Sequence, residues 1–338
     1  MKLKKTTRII SIIIIAAFFV IVLFSGVVEL SGTGKELLKG EINYKKEAAT
    51  LKNMVSFRLF KVSANSQVIS GKNGWLFYSE TLNDFTGSCT LTDDEIVKIT
   101  ASMIRIKEFC VKNGAELCIV VVPNKNEIYS ENMPLYYKKN TEDGNIDMLL
   151  RSINEAGIDA PDLRTLFKGL PDLYYKTDTH WNAKGAAILS DYISRKYIED
   201  NDFSYASSEP SHTDGFTGDL YKLMFPAARK PVKGFSDSSY FYAESPEYRY
   251  IDEPISLMDM EIETVSDSIK GGKLLMYRDS FGSELIPLLS GQFAHARYLR
   301  GNMPYDLSYI ETDDPDLVVF VIAQRNIPQL LTSSFSGI

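Results

Sequence analysis

Residues 175–185 read YKTDTHWNAKG, which sets Asp178 two positions before His180 and beside Trp181, one of two tryptophans in the 338-residue chain. A carboxylate next to an imidazole is half of a nucleophilic site. The acid fixes one ring nitrogen and leaves the other to take a proton near neutral pH. In extended backbone, side chains at i and i+2 point the same way, so this spacing lets Asp178 hold His180. The other half must be a hydroxyl or thiol, since serine is inert without a base. Residues 278–289, RDSFGSELIPLL, follow the apolar run KLLMY and place Ser280 where a strand would turn into a helix, with Gly282 and Ser283 as small neighbours. A backbone N–H at the start of that helix can bind a developing oxyanion. Ser280, His180 and Asp178 are therefore the candidate nucleophile, base and orienting acid.

Plainer readings of the same residues stay open. Asp178 or Thr179 can cap a helix beginning near Asn182, and Ser280 can itself be an N-cap. Asp279 and Glu284 read as solvated or capping groups, and His212 and His295 as structural ones. Trp75 and Trp181 read as core aromatics first and as sugar-stacking surfaces second.

The surrounding elements must bring residues 178 and 280 together across about a hundred positions. Thr92 and Glu95 form a capping box, and Ile96, Ile99, Met103, Ile106 and Phe109 recur at helical spacing until Gly114. AELCIVVVP (115–123) is a continuous apolar run, as in a strand buried on both faces. NIDMLLRSINEAG (145–157) is a second helix, and KLLMY (273–277) and DLVVFVI (316–322) are further buried strands. Helices alternating with such strands predict an α/β fold, a mostly parallel sheet covered on both sides. In such sheets reacting groups sit beyond the carboxyl ends of strands, where Ser280 falls. Residues 70–80, with two glycines, predict a turn into a short strand. Residues from about 200 to 270, rich in Ser, Tyr, Asp and Pro, predict a long insertion carrying short strands.

The N-terminus has a different character. Lys2, Lys4, Lys5 and Arg8 precede an uncharged run over residues 9–28. A run of this length spans a hydrocarbon core of about 30 Å. The basic flank places the rest of the chain outside the cytoplasm. The domain reading is a basic tail (1–8), a transmembrane anchor (9–28), a stalk helix (29–67) and a globular domain (68–338). A cleaved signal peptide is the rival reading; its apolar region is shorter and an A-x-A site is wanting here. Setting the four tail charges aside takes the formal charge from −7 to −11. So acidic a body disfavours nucleic acid and other polyanions as non-specific partners. Three cysteines, Cys89, Cys110 and Cys118, make no disulfide framework, and three histidines without ligand spacing predict no metal site and no cofactor.

Four motifs in order, GKNGWLFY (71–78), DTHWNAKGA (178–186), GDL (218–220) and RDSFG (278–282), resemble the AlgX/AlgJ-like polysaccharide O-acetyltransferase family, which is SGNH hydrolase-like, and within it the DHHW proteins common in Gram-positive bacteria. Thr179 stands where that branch has its first His. The resemblance covers residues 68–330 and implies an SGNH hydrolase-like three-layer α/β/α domain. It also implies Ser280 as nucleophile, His180 as base and Asp178 as its orienting acid. It gives no match for the Asn and Gly of the SGNH oxyanion hole; Gln324, Arg325 and Asn326, after the last strand, are the nearest candidates. The family's C-terminal carbohydrate-binding module has no expected counterpart after residue 322. The implied activity is acetyl transfer to hydroxyls of a cell-surface or secreted polysaccharide. A membrane-bound O-acyltransferase would supply acetyl groups, and the enzyme would be held at the cell membrane by its N-terminal helix with its catalytic domain extracytoplasmic. An acetyl esterase with the same triad and a non-catalytic scaffold of a polysaccharide assembly complex are the alternatives.

Overall fold

The computed structural model describes residues 44–140, 142–199, 203–269, 272–301 and 305–332. The anchor expected over residues 9–28 lies outside them, and no described helix is long and apolar enough to cross a membrane.

Six strands form the central sheet: β3 (Glu116–Val122), β6 (Arg249–Tyr250), β7 (Glu261–Val265), β8 (Lys273–Arg278), β9 (His295–Arg300) and β10 (Leu317–Ala323), in the spatial order β3-β10-β8-β9-β7-β6. The first four run parallel; β7 and β6 add an antiparallel edge, so the sheet is mixed. Two hairpin-like pairs lie outside it, β1 (Val68–Ser70) with β2 (Leu76–Tyr78), and β4 (Ser211–Asp214) with β5 (Ser238–Phe241). Residues 200–270 thus supply β4, β5, α5 (Asp219–Met224) and the two antiparallel strands, β7 and β6, at one end of the main sheet.

Alternation along the strands builds two cores. Leu117, Ile119 and Val121 of β3 join Val318, Phe320 and Ile322 of β10 under α2 (Asp93–Lys112) and α3 (Asn145–Glu155). Cys118, Val120 and Val122 face the other way with Val319 and Val321, against α4 (Ala183–Tyr197). All seven β10 residues are buried, as a central strand covered on both sides requires. The α2 capping box is complete: Glu95 N donates to Thr92 Oγ1 at 3.3 Å, and Thr92 N donates to Glu95 Oε2 at 2.8 Å. One more helix, α1 (Tyr44–Phe60), lies against the domain through Phe57, whose ring is 4.6 Å from that of Phe235.

Parallel register brings three strand ends to one edge. Val321 of β10 pairs with Arg278 of β8, and Ala323 with Val122 of β3. The loops that follow, beginning at Asp279, Gln324 and Pro123, are therefore neighbours.

Candidate active site

Caps are supplied by residues adjacent to the candidates, which leaves the candidates free. Asn182 caps α4, its Oδ1 accepting from Lys184 N at 2.9 Å and Gly185 N at 3.4 Å. Asp279 caps the 3-10 turn Ser280–Leu285, its Oδ1 accepting from Phe281 N at 2.9 Å. Asp279 Oδ2 also accepts from Ala323 N and Asn326 Nδ2, tying the loops after β8 and β10 together.

Residues 178, 180 and 280 meet in hydrogen-bond geometry. His180 Nδ1 lies 2.7 Å from Asp178 Oδ1, and His180 Nε2 lies 2.8 Å from Ser280 Oγ. The D-x-H segment is a tight bend, not the extended stretch expected. Asp178 Oδ1 accepts from the His180 backbone N–H at 3.0 Å as well as facing the ring, so one oxygen fixes both parts of the residue. Asp178 Oδ2 accepts from Asp219 N at 2.7 Å, and Asp219 Oδ1 accepts from Thr179 N at 2.7 Å. The start of α5 thus locks the bend from above.

Burial opposes ionisation of Asp178, but the hydrogen bond and charge of His180 outweigh it and hold the carboxyl below the usual carboxylate range. For His180 burial likewise disfavours the charged form, and Asp178, aided by Asp219, more than offsets it, so its pKa is raised. An imidazole that gains basicity while keeping one nitrogen on Ser280 is suited to take that proton. Asp178, His180 and Asp219 bring three potential ligand atoms within 4.8 Å of one another. Three of the four carboxylate oxygens already accept N–H groups, so the arrangement favours an oriented base over a cation cage.

Several partners were not legible beforehand. Lys125, three residues past β3, is buried, and its Nζ donates to the carbonyls of Tyr175 (3.0 Å), Lys176 (3.2 Å) and Asp178 (2.5 Å). Burial pushes this amine down to about 8, against the pull of Asp178, Asp219 and Asp237. Glu284, expected to be solvated or capping, is pushed up to about 7 by burial beside Tyr175 and His180. Arg278 is fully buried under the Ser280 turn and donates to Ser283 Oγ and to the carbonyls of Leu257 and Asp259. In the sequence Lys125 is marked only by its place shortly after a buried strand, and Arg278 by opening the RDSFG motif at a strand end.

The two tryptophans are core residues. Trp181 is fully buried, and its Nε1 donates to Phe281 O at 2.9 Å, linking the His180 and Ser280 segments. Trp75 is buried against Tyr129, ring centroids 4.5 Å apart. Of the three residues after β10, Gln324 accepts from Asn124 N and Asn326 donates to Asp279, so both side chains are engaged in holding loops. Arg325 lies over the rings of Phe281 (5.3 Å) and Tyr78 (5.6 Å). His212 is exposed on β4, and His295 Nε2 lies 2.6 Å from Glu263 Oε1; neither approaches the triad geometry.

Comparisons with known proteins agree with this architecture. Residues 68–234 match the family model of the SGNH hydrolase-like domain of acetyltransferase AlgX. A probable alginate O-acetylase AlgJ of Pseudomonas putida is 24% identical over 177 residues, 50% of this chain and 45% of that protein. The Pseudomonas aeruginosa protein of the same description is 27% identical over 135 residues, 39% of this chain and 33% of its own. The matched segments thus span less than half of these curated relatives. Among solved structures, Bacillus cereus PatB1 gives a TM-score of 0.58 at 17% identity, covering 77% of this chain and 96% of that one. A DHHW family protein from Eubacterium siraeum gives 0.55 at 16% identity, covering 80% and 99%. At such identities the two structures show the shared α/β fold alone, and the SGNH-like description comes from the family model.

Proposed function

We propose that this chain, which belongs to the AlgX/AlgJ-like family, is a polysaccharide O-acetyltransferase working through an acetyl-Ser280 intermediate. The observation that carries the reading is the relay Ser280 Oγ–His180 Nε2 at 2.8 Å and His180 Nδ1–Asp178 Oδ1 at 2.7 Å. Ser280 Oγ attacks the carbonyl of a donor acetyl ester as His180 takes its proton. The oxyanion forms beside the Ser280 N–H, for which the described residues supply no partner. The donor alcohol leaves with the proton from His180. A sugar hydroxyl then gives its proton to His180 and attacks the acetyl-serine, forming the new ester, and Ser280 recovers its proton. No metal or redox group enters this balance.

The acceptor is a hydroxyl of a cell-surface or secreted glycan, and the site is extracytoplasmic, held to the cell membrane of a Gram-positive bacterium by residues 9–28. Acetyl-CoA is cytoplasmic, so a membrane-bound O-acyltransferase supplies the acetyl group across the bilayer. The description of the AlgJ relatives as probable alginate O-acetylases supports transfer over the esterase alternative. An intact three-residue relay supports catalysis over the scaffold alternative.

The test is turnover of a chromogenic acetyl ester with and without a neutral oligosaccharide, for the wild type and Ser280→Ala. The expected outcome is acetylated sugar by mass spectrometry, lost in the variant by about 10³-fold or more. Ser280-dependent release of acetate alone would make the protein an esterase. No Ser280-dependent turnover and no acyl-enzyme mass would leave the scaffold.

A further inference from the structure

Helix α1 buries few of its apolar side chains. The side it turns to the domain carries Phe57, packed on Phe235, together with buried Thr50 and Asn53, Thr50 Oγ1 accepting from Ala227 N at 2.9 Å and Asn53 Oδ1 from Ala64 N at 2.7 Å. The opposite side carries Leu51, Met54, Val55, Arg58 and Leu59, at i, i+3, i+4, i+7 and i+8, one continuous helical face. Leu51, Val55 and Leu59 are 51%, 41% and 53% exposed. The face continues around Phe60 (69% exposed) into a groove of about 1280 Å³, whose far wall bears Leu135 (85%) and Tyr136 (67%). Single exposed apolar residues are ordinary, whereas a contiguous set of this kind marks a contact surface.

Charge identifies the contact. The groove is lined by Arg58, Lys61, Lys72 and Lys233 and by no acid, in a chain of net charge −7. An apolar face ringed by cations fits the boundary between anionic lipid headgroups and acyl chains. A second copy fits less well. It would set Arg58 against Arg58 and four cations against four, and 17 residues are about two heptads where a coiled coil needs three to four. Position agrees with lipid. Only 15 residues separate Val28, the end of the uncharged run, from Tyr44, a span of at most about 55 Å. We infer that the outer face of α1 and the adjoining groove lie on the anionic surface of the membrane that holds the anchor, seating the catalytic domain against the lipid.

The test uses the full chain reconstituted in phosphatidylcholine vesicles with and without phosphatidylglycerol, all carrying doxyl-labelled lipid. With exposed Cys89 replaced by Ser, a fluorophore is placed at Val55→Cys or Phe60→Cys, and for reference at Val97→Cys or Val111→Cys on α2. The expected result is quenching at 55 and 60 several-fold above that at 97 and 111, dependent on phosphatidylglycerol. High salt, or Arg58→Glu with Lys61→Glu, Lys72→Glu and Lys233→Glu, should reduce it. Equal quenching at all four positions would overturn the inference. So would disulfide dimers through Phe60→Cys in vesicles at high dilution, which would assign the face to a second copy. Carbonate-resistant flotation reads the anchor separately. A chain that fails to insert and also shows no quenching overturns both readings, while quenching without insertion keeps this one.

Discussion

At the residue scale, the site couples stability and activity in opposite directions across pH. Asp178 is depressed in the folded chain, so its contribution to stability is present above the ordinary carboxylate value and lost as pH falls through the folded one. His180 is raised, so its contribution is complete below its ordinary value and lost as pH rises through the folded one. Both contributions coincide between about pH 4 and 6.5. Catalysis needs the neutral imidazole and so gains as pH climbs above that window. The Tm difference between wild type and Asp178→Asn should therefore be greatest inside it and shrink on the alkaline side, while ester turnover falls by roughly 10³–10⁴-fold. A pH-independent Tm difference would mean that the pair is not linked as drawn. Lys125 carries a second expectation. Lys125→Met keeps the volume but leaves three carbonyls without their donor, each such bond to a charged group being worth about 1.5–3 kcal/mol. It also removes a positive charge close to Asp178, which favours protonated His180. Beside a lower Tm, the acid limb of the pH–rate profile should move to higher pH, a shift that mere loosening would not produce. Sequence could nominate Ser280, His180 and Asp178, because their types and motifs carry chemistry on their face. It could not nominate Lys125, since a lysine reads as surface until tertiary packing lays its ammonium on a ring of carbonyls.

At the element scale, the site is where short segments press on one another without side-chain clearance. Gly218 precedes α5 with φ of −76°, which any residue adopts, so its need is for space. A Cβ there would lie 2.4–2.5 Å from Asp178 Cβ, Cα and N, all parts that cannot swing aside. Gly218→Ala should therefore push α5 off the 177–179 bend and break the Asp219 N to Asp178 Oδ2 bond. The expectation is at least a tenfold lower kcat with a moderate fall in Tm, measured on the same chromogenic ester. Unchanged kcat would show that α5 is not what holds Asp178. The strands β3, β8 and β10 were readable because a central strand buried on both faces is apolar throughout. β9 was not, for its sequence HARYLR alternates exposure at the point where the sheet turns antiparallel. Nor was the edge: β6 is two residues long, too short to leave a period, and it falls within the stretch read as an insertion. Strand order is a property of crossovers, so the adjacency of the loops after β8 and β10 became visible only with the register.

At the scale of the whole molecule, charge decides what can approach and from which side. Removing the basic tail leaves the chain at −11, and Asp178 and Asp219 place part of that acid around the His180–Ser280 pair itself. A polyanionic acceptor would meet repulsion that salt screens, the Debye length falling from about 30 Å at 0.01 M to about 10 Å at 0.1 M. A neutral acceptor would feel neither. Transfer kcat/KM to a neutral oligosaccharide should therefore change less than about twofold over that range, and transfer to a polyanionic analogue should rise several-fold. Equal rates at low salt for the two acceptors would show that the net charge is not what the acceptor senses, and that local cations such as Arg325 govern its entry. The same net charge bears on orientation. An acidic body is repelled by an anionic leaflet everywhere except at a basic face, so the patch around Arg58 and Lys61 is the side such a chain would turn to the lipid.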